Sequence, residues 1–189
     1  LQEVEDIYRP FRPKRRTRAT VAKEKGLEPL AEKILAQDGS IGDEDAAVFV
    51  NLERGVETTD DALAGALDII AEIISDDAEI RKVIRDMAYK RGVIQSTGLT
   101  EETSTYSMYY DFKEPVVKIV SHRILAINRG EREKYLQVKI EVPVEDILDV
   151  IKDKYIKDLS PNTELMEKAV DDAYKRLIWP SIERETRNI

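Results

Sequence analysis

The chain has 189 residues, a formal net charge of −8, 36% charged and 42% hydrophobic residues, and no cysteine. That composition specifies a folded, helix-rich protein with a sizeable core, and it excludes disulfides, thiolate metal sites and cysteine nucleophiles. With no apolar run near the ~20 residues that span a bilayer, and no apolar leader, a cytoplasmic protein without membrane contact is expected.

Leu1, Val4, Ile7 and Tyr8 keep helical spacing from the first residue, which predicts a helix already under way there. Next comes Arg9-Pro10-Phe11-Arg12-Pro13-Lys14-Arg15-Arg16-Thr17-Arg18-Ala19-Thr20, with six cations in the ten residues from Arg9 to Arg18. In an acidic chain such a block either binds an anion or is neutralised by the fold. Val21 to Gly26 reads as a short helix with Thr20 as its N-cap and Gly26 as its stop, and Glu28 to Gln37 as a second, with Pro29 in its first turn and Leu30, Ile34 and Leu35 inward. After a loop and a short helix over 40–48, Thr59-Asp60-Asp61 caps a helix from Ala62 to Ser75 that carries Leu63, Leu67, Ile70 and Ile74. Asp76 caps the next helix, which turns Ile80, Val83, Ile84 and Met87 inward and ends at Gly92. From Glu28 to Glu79 the only cations are Lys33 and Arg54, so this stretch does not lie on nucleic acid; its carboxylates fall largely at helix starts, where they complement the dipole. Asp43, Glu44 and Asp45 lack the alternating spacing and terminal Glu of a calcium loop, and no metal is expected.

Beyond Gly92 the period changes. Val93–Thr97 and Ser104–Tyr110 are β-branched and aromatic around Gly98 and predict a small hairpin. Leu136–Val142 alternates apolar and polar residues, the pattern of a half-buried strand, and Pro143 ends it. Ser121 is placed to cap a helix bearing Ile124, Leu125 and Ile127, with Gly130 in the C-terminal glycine position. His122 is the only histidine, so an ordinary zinc site is excluded, and a Ser121–His122 triad has no supporting geometry. With no phosphate loop, nucleophile elbow or metalloprotease motif, neither an active site nor a cofactor or small-molecule substrate is expected. Thr163 to Ile182 reads as one long amphipathic helix with Leu165, Ala169, Ala173, Leu177 and Ile178 on a stripe, continuing without a stop signal. Both ends therefore read as cut from a longer protein. The expected fold is mainly α, multi-helical, with a small β hairpin and strand portion. Its parts are 1–92 with the basic segment, 93–143 with the short strands and the Ser-His-Arg helix, and the helices of 144–189.

Three segments in order carry a family resemblance. Glu5 through Ala31, centred on Arg9-Pro10-Phe11-Arg12-Pro13-Lys14-Arg15-Arg16-Thr17-Arg18, resembles the N-terminal region of the Tex family of bacterial transcription accessory proteins. Ser121-His122-Arg123 through Arg129-Gly130-Glu131 is similar to that family's Ser-His-Arg helix, and Arg176-Leu177-Ile178-Trp179-Pro180-Ser181-Ile182-Glu183 to its long helix before the central domain. Trp179 stands where a smaller residue is expected, and Asn128 where an aromatic or apolar one is common. The resemblance implies a helical N-terminal section with a helix-turn-helix-like element. It also implies RNase-H-like, helix-hairpin-helix and OB-type RNA-binding domains beyond this chain, with nucleic acid and the transcription machinery as partners.

Two roles then compete for the basic block. Arg12, Lys14, Arg15, Arg16, Arg18 and Lys23 contact phosphates of RNA or DNA, with Lys25 extending the patch. Alternatively the same cations pair with the acidic helices or with another domain and the segment is architectural, the reading favoured because flanking carboxylates can neutralise it. Phe11 is expected to anchor in the core, and Tyr106, Tyr109 and Tyr110 to pack rather than stack on bases.

Overall fold

The computed structural model describes residues 1–11 and 15–188, in two units: Leu1–Arg81 with Leu148–Ile178, and Lys82–Ile147 with the residues from Trp179 on. The architecture is mainly helical with one small antiparallel sheet.

In the first unit, α1 (Gln2–Tyr8) forms as its spacing predicts, yet Leu1, Val4, Ile7 and Tyr8 are exposed and Asp6 is its buried residue. A 3₁₀ turn over Arg9–Phe11 follows, and Phe11, expected in the core, is 81% exposed. Helix α2 (Arg18–Glu24) starts earlier than expected because Thr17, not Thr20, is its N-cap: the Thr20 amide donates to Thr17 Oγ1 at 3.1 Å. Gly26 takes the left-handed conformation (φ +80°) that stops the helix. Helix α3 (Glu28–Ala36) buries Leu30, Ala31 and Ile34, and α4 (Asp43–Ala47) is held at its start by Asp45 Oδ2, which accepts the Gly42 amide at 3.0 Å.

The centre of this unit is α5 (Thr59–Ser75), whose buried face is Ala62, Ala66, Ile69, Ile70, Ala71 and Ile74. Its cap is Thr58, one residue before the expected trio, in a reciprocal pair with Asp61: the Asp61 amide donates to Thr58 Oγ1 at 3.1 Å and the Thr58 amide to Asp61 Oδ2 at 3.2 Å. Around α5 pack α2, α3, α4 and α9 (Thr163–Asp172). Buried Asn162, just before α9, accepts from the Ile41 amide and donates to the Gly39 carbonyl, both at 3.0 Å, and so pins the 38–42 loop.

The expected single C-terminal helix is instead α9, a π-helical turn (Ala173–Ile178) and α10 (Trp179–Arg187). Pro180 accounts for the interruption, since it has no amide to donate to the Arg176 carbonyl. Helix α6 (Ala78–Arg91) contributes its first turn here. Its N-cap is Asp77 rather than Asp76, with the Ile80 amide donating to Asp77 Oδ1 at 3.0 Å. Tyr155, at the end of α8 (Val144–Tyr155), donates its phenol to Asp77 Oδ2 at 2.5 Å, and Lys154 pairs with the same carboxylate at 2.8 Å. Arg81 is 1% exposed, its Nε donating to the Ser75 carbonyl and one Nη to Ser75 Oγ at 3.1 Å, so that a cation closes the C-terminal end of α5.

In the second unit, β1 (Val93–Gly98), β2 (Asp111–Pro115) and β3 (Leu136–Glu141) form an antiparallel sheet in the order β2-β1-β3. Ile94 lies opposite Glu114 and Ile140, and Ser96 opposite Phe112 and Val138. The strand read from its alternation is present, and its partner is β1. The hairpin partner of β1 is not the 104–110 stretch, which folds as a loop with a 3₁₀ turn over Ser107–Tyr109. Local hydroxyl bonds divert that stretch from a ladder, with the Ser104 amide donating to Ser107 Oγ at 2.8 Å and the Tyr106 amide to Ser104 Oγ at 3.1 Å. Tyr106 and Tyr109 are then buried with Ile94, Ile127 and Leu136, as packing residues. Helix α7 (Ser121–Arg132) covers this core through Ile124 and Ile127, while Leu125 is exposed. Val120 rather than Ser121 occupies its N-cap position. Gly130 lies inside α7 rather than past its end, and the absence of a side chain there lets Leu136 approach, since a Cβ would come within 2.6 Å of Leu136 Cδ1. Trp179 packs against the same core, and Asn128 takes both sides of an exchange with Arg187, donating to its carbonyl at 3.0 Å and accepting from Nη2 at 3.0 Å.

Candidate nucleic-acid interface

The basic segment owes its presentation to the pattern of α2. Ala19 and Ala22 are buried against α5, and the same turns carry Arg18 and Lys23 outward. Gly65 of α5 permits the close approach, since a Cβ there would lie 2.3 Å from Leu27 Cδ1 and 3.4 Å from Ala22 Cβ. Arg15 and Arg16 precede the helix and are exposed. Arg12 and Lys14 lie outside the described residues.

The expected neutralisation by acidic helices is largely not how the described cations are arranged. Arg16, just before α2, pairs with Glu24 near the end of that helix at 3.1 Å, with side chains 69% and 54% exposed, a geometry whose contribution is about 0–1 kcal/mol at most. Among the described residues, Arg15, Arg18 and Lys23 have no ion pair. Among the described residues, an arginine remote in sequence pairs with α5. Arg176 meets Asp172 at 2.7 Å and Asp68 of α5 at 3.7 Å.

Between α2, Gly55 and α5 lies a cleft of about 580 Å³. Arg16, Arg18 and Lys25 are on its rim, Asp61 and Asp68 on the α5 side, and Val21, Ala22, Leu27, Ala64 and Gly65 among its remaining lining. Burial raises the Asp68 carboxyl above its ordinary range, against the opposing pull of Arg176, Arg18 and Lys25. Asp61 is already engaged by the amides of Glu57 and Thr58, each at 3.2 Å. Residue spacing singles out the cations; convergence of Arg16, Arg18 and Lys25 on one cleft comes from the α2–α5 packing, and nothing in the sequence distinguishes Asp68 and Ala64 from the other residues of a helix.

His122 is exposed in the first turn of α7. Among the described residues, no three His, Asp or Glu side chains are grouped to hold a metal ion, and no helix is long and apolar enough to cross a membrane.

A mainly helical chain with an exposed cationic helix edge is the structural class; comparison with known proteins supplies the family. Residues 38–188 match the family model described as Tex central region-like. The chain is 47% identical to the uncharacterized protein YdcI of Bacillus subtilis over 99% of its own length and 27% of that protein. It is 36% identical to the transcriptional accessory protein Tex of Neisseria gonorrhoeae, over 76% of the chain and 19% of that protein. The S1 RNA-binding domain-containing protein 1 of Homo sapiens is 29% identical over 99% of the chain and 20% of its own length. This chain belongs to the Tex family. It spans 27% or less of the length of these relatives.

Proposed function

We propose that this region gives a Tex-family transcription accessory protein a non-catalytic nucleic-acid contact, in which Arg15, Arg16, Arg18 and Lys23, with Arg12 and Lys14 of the same run, meet phosphates. The carrying observation is the exposed, weakly engaged row of cations opposite the buried Ala19–Ala22 face of α2. Phosphate contact by such a row needs no base readout and strengthens as salt falls. The printed names of two relatives, a transcriptional accessory protein and an S1 RNA-binding domain-containing protein, support the same direction. The turn from α2 to α3 across Gly26 has the length and glycine of a helix-turn-helix connection, but exposed Glu28 and Glu32 make α3 a poor groove reader and leave the contact to α2 and the residues before it.

The test is an electrophoretic mobility series over salt with single-stranded RNA, single-stranded DNA and duplex, using the chain and its R15A/R16A/R18A/K23A variant. Binding should weaken along a log–log slope of about −0.7 to −0.9 per phosphate contact, and the variant should lose most of that slope. Absence of any shift at low salt, or an unaltered slope in the variant, refutes the reading. A mainly architectural role for the rest of the region is supported by exposed Leu1, Val4, Ile7 and Phe11, an apolar row suited to covering by protein.

A further inference from the structure

The cleft beside α2 has three chemistries at once, and few ligands use all of them. A free phosphate would meet Arg16, Arg18 and Lys25 but leave the apolar lining untouched. A duplex would meet the same cations from outside, because its bases are stacked and paired. An aliphatic ligand would fill the apolar part and leave the cations of the rim unused. A nucleotide whose base is unpaired offers a phosphate, a flat apolar ring and, in cytosine, adenine or guanine, an amino donor for a carboxylate. The carboxylates do not forbid a phosphate nearby, since Asp61 is held by two backbone amides and Asp68 faces Arg176 at 3.7 Å.

We infer that this cleft seats one unpaired, amino-bearing base of a single-stranded nucleic acid: the ring against half-buried Val21 and exposed Ala64, the amino group donating to Asp68, and the flanking phosphate on Arg16, Arg18 and Lys25. The inference rests on the phosphate-contact reading above and adds a strand type and a base preference to it. At about 580 Å³ the cleft is within the range of small-molecule sites and has room for one nucleotide.

The experiment is fluorescence anisotropy of the 189-residue chain with labelled oligo-deoxycytidine, oligo-deoxyadenosine, oligo-deoxythymidine and a mixed duplex at one salt concentration. Two variants accompany it: Ala64→Phe, at an exposed helical position, fills the cleft, and Asp68→Asn keeps shape while removing the acceptor charge. Oligo-deoxycytidine and oligo-deoxyadenosine should bind about 5–10-fold tighter than oligo-deoxythymidine. Asp68→Asn should erase that difference, and Ala64→Phe should bring every single strand to the duplex affinity. Equal affinity of the unaltered chain for all three homopolymers overturns the inference and leaves surface phosphate contact standing. Binding to none of the four overturns both. The homopolymer comparison on the unaltered chain decides the matter even where a variant folds poorly.

Discussion

Replacing Asp77 by Ala should destabilise the first unit substantially, because three separate groups converge on one carboxylate. The Ile80 amide at 3.0 Å makes it the N-cap of α6, a role whose loss costs about 1 kcal/mol. The Tyr155 phenol at 2.5 Å is a hydrogen bond to an ionised acceptor, worth about 1.5–3 kcal/mol. Lys154 at 2.8 Å is 38% exposed, so solvent screening holds its share below about 1 kcal/mol. The expected loss is roughly 3–4 kcal/mol, a fall of about 1.5–2 M in the urea midpoint for a denaturant slope near 2 kcal/mol/M. Burial alone would raise this carboxyl, but the hydrogen bonds from Lys154, Tyr155 and the Ile80 amide outweigh it, and the folded-state value lies below the ordinary 3.8. A group depressed on folding contributes its stability fully above the unfolded value of about 4 and loses it as pH falls through the lower folded value. Asp77→Asn, which retains a good cap, should therefore lie below the unaltered protein at neutral pH and converge with it in acid. Urea titrations followed by circular dichroism at neutral pH and near pH 3 check both points. A midpoint shift under about 0.5 M for Asp77→Ala, or a gap between Asp77→Asn and the unaltered protein that is the same at both pH values, would refute the reasoning.

Gly130→Ala sets a helix-propensity gain of about 1 kcal/mol against overpacking of about 1–3 kcal/mol, since the new Cβ meets Leu136 at 2.6 Å and Tyr106 at 3.0 Å; a net loss of up to about 2 kcal/mol in thermal or urea unfolding is expected. Asn162→Ala should cost about 1–3 kcal/mol by stranding the Ile41 amide and the Gly39 carbonyl, and should raise amide hydrogen exchange in the 38–42 loop selectively. Gly26→Ala should cost about 1 kcal/mol through its positive φ alone, because the nearest obstacle, Arg54 Nη1, is the movable end of a side chain; a melting curve measures it.

Where local rules suffice, the chain was legible residue by residue. The alternation of Leu136, Val138 and Ile140 with polar partners can bury only one face of a strand, and β3 follows. Gly26 and Pro29 act through their own backbone chemistry, so the end of α2 and start of α3 came out as read. Caps were displaced by one to three residues, because Thr17 and Thr20, Thr58 and Thr59, and Asp76 and Asp77 are adjacent or near equivalents that only a closed hydrogen bond distinguishes. The Ser104–Tyr110 stretch had strand composition, but its serine hydroxyls captured the backbone and its tyrosines were wanted beneath the sheet.

Composition and periodicity by themselves determined a helix-rich protein with one half-buried strand and a cationic segment at Arg9–Lys25, and three ordered segments carried its resemblance to the Tex family. Tertiary structure alone decided which charges are used inside and which are left outside. Arg81 gives no sign in its neighbours that it is buried, yet the end of α5 needs a donor and takes it. Arg176, over a hundred residues from the basic run, occupies Asp68, while Arg15, Arg18 and Lys23 remain exposed. Charge pairing depends on distance in space, which helix packing sets and sequence separation does not.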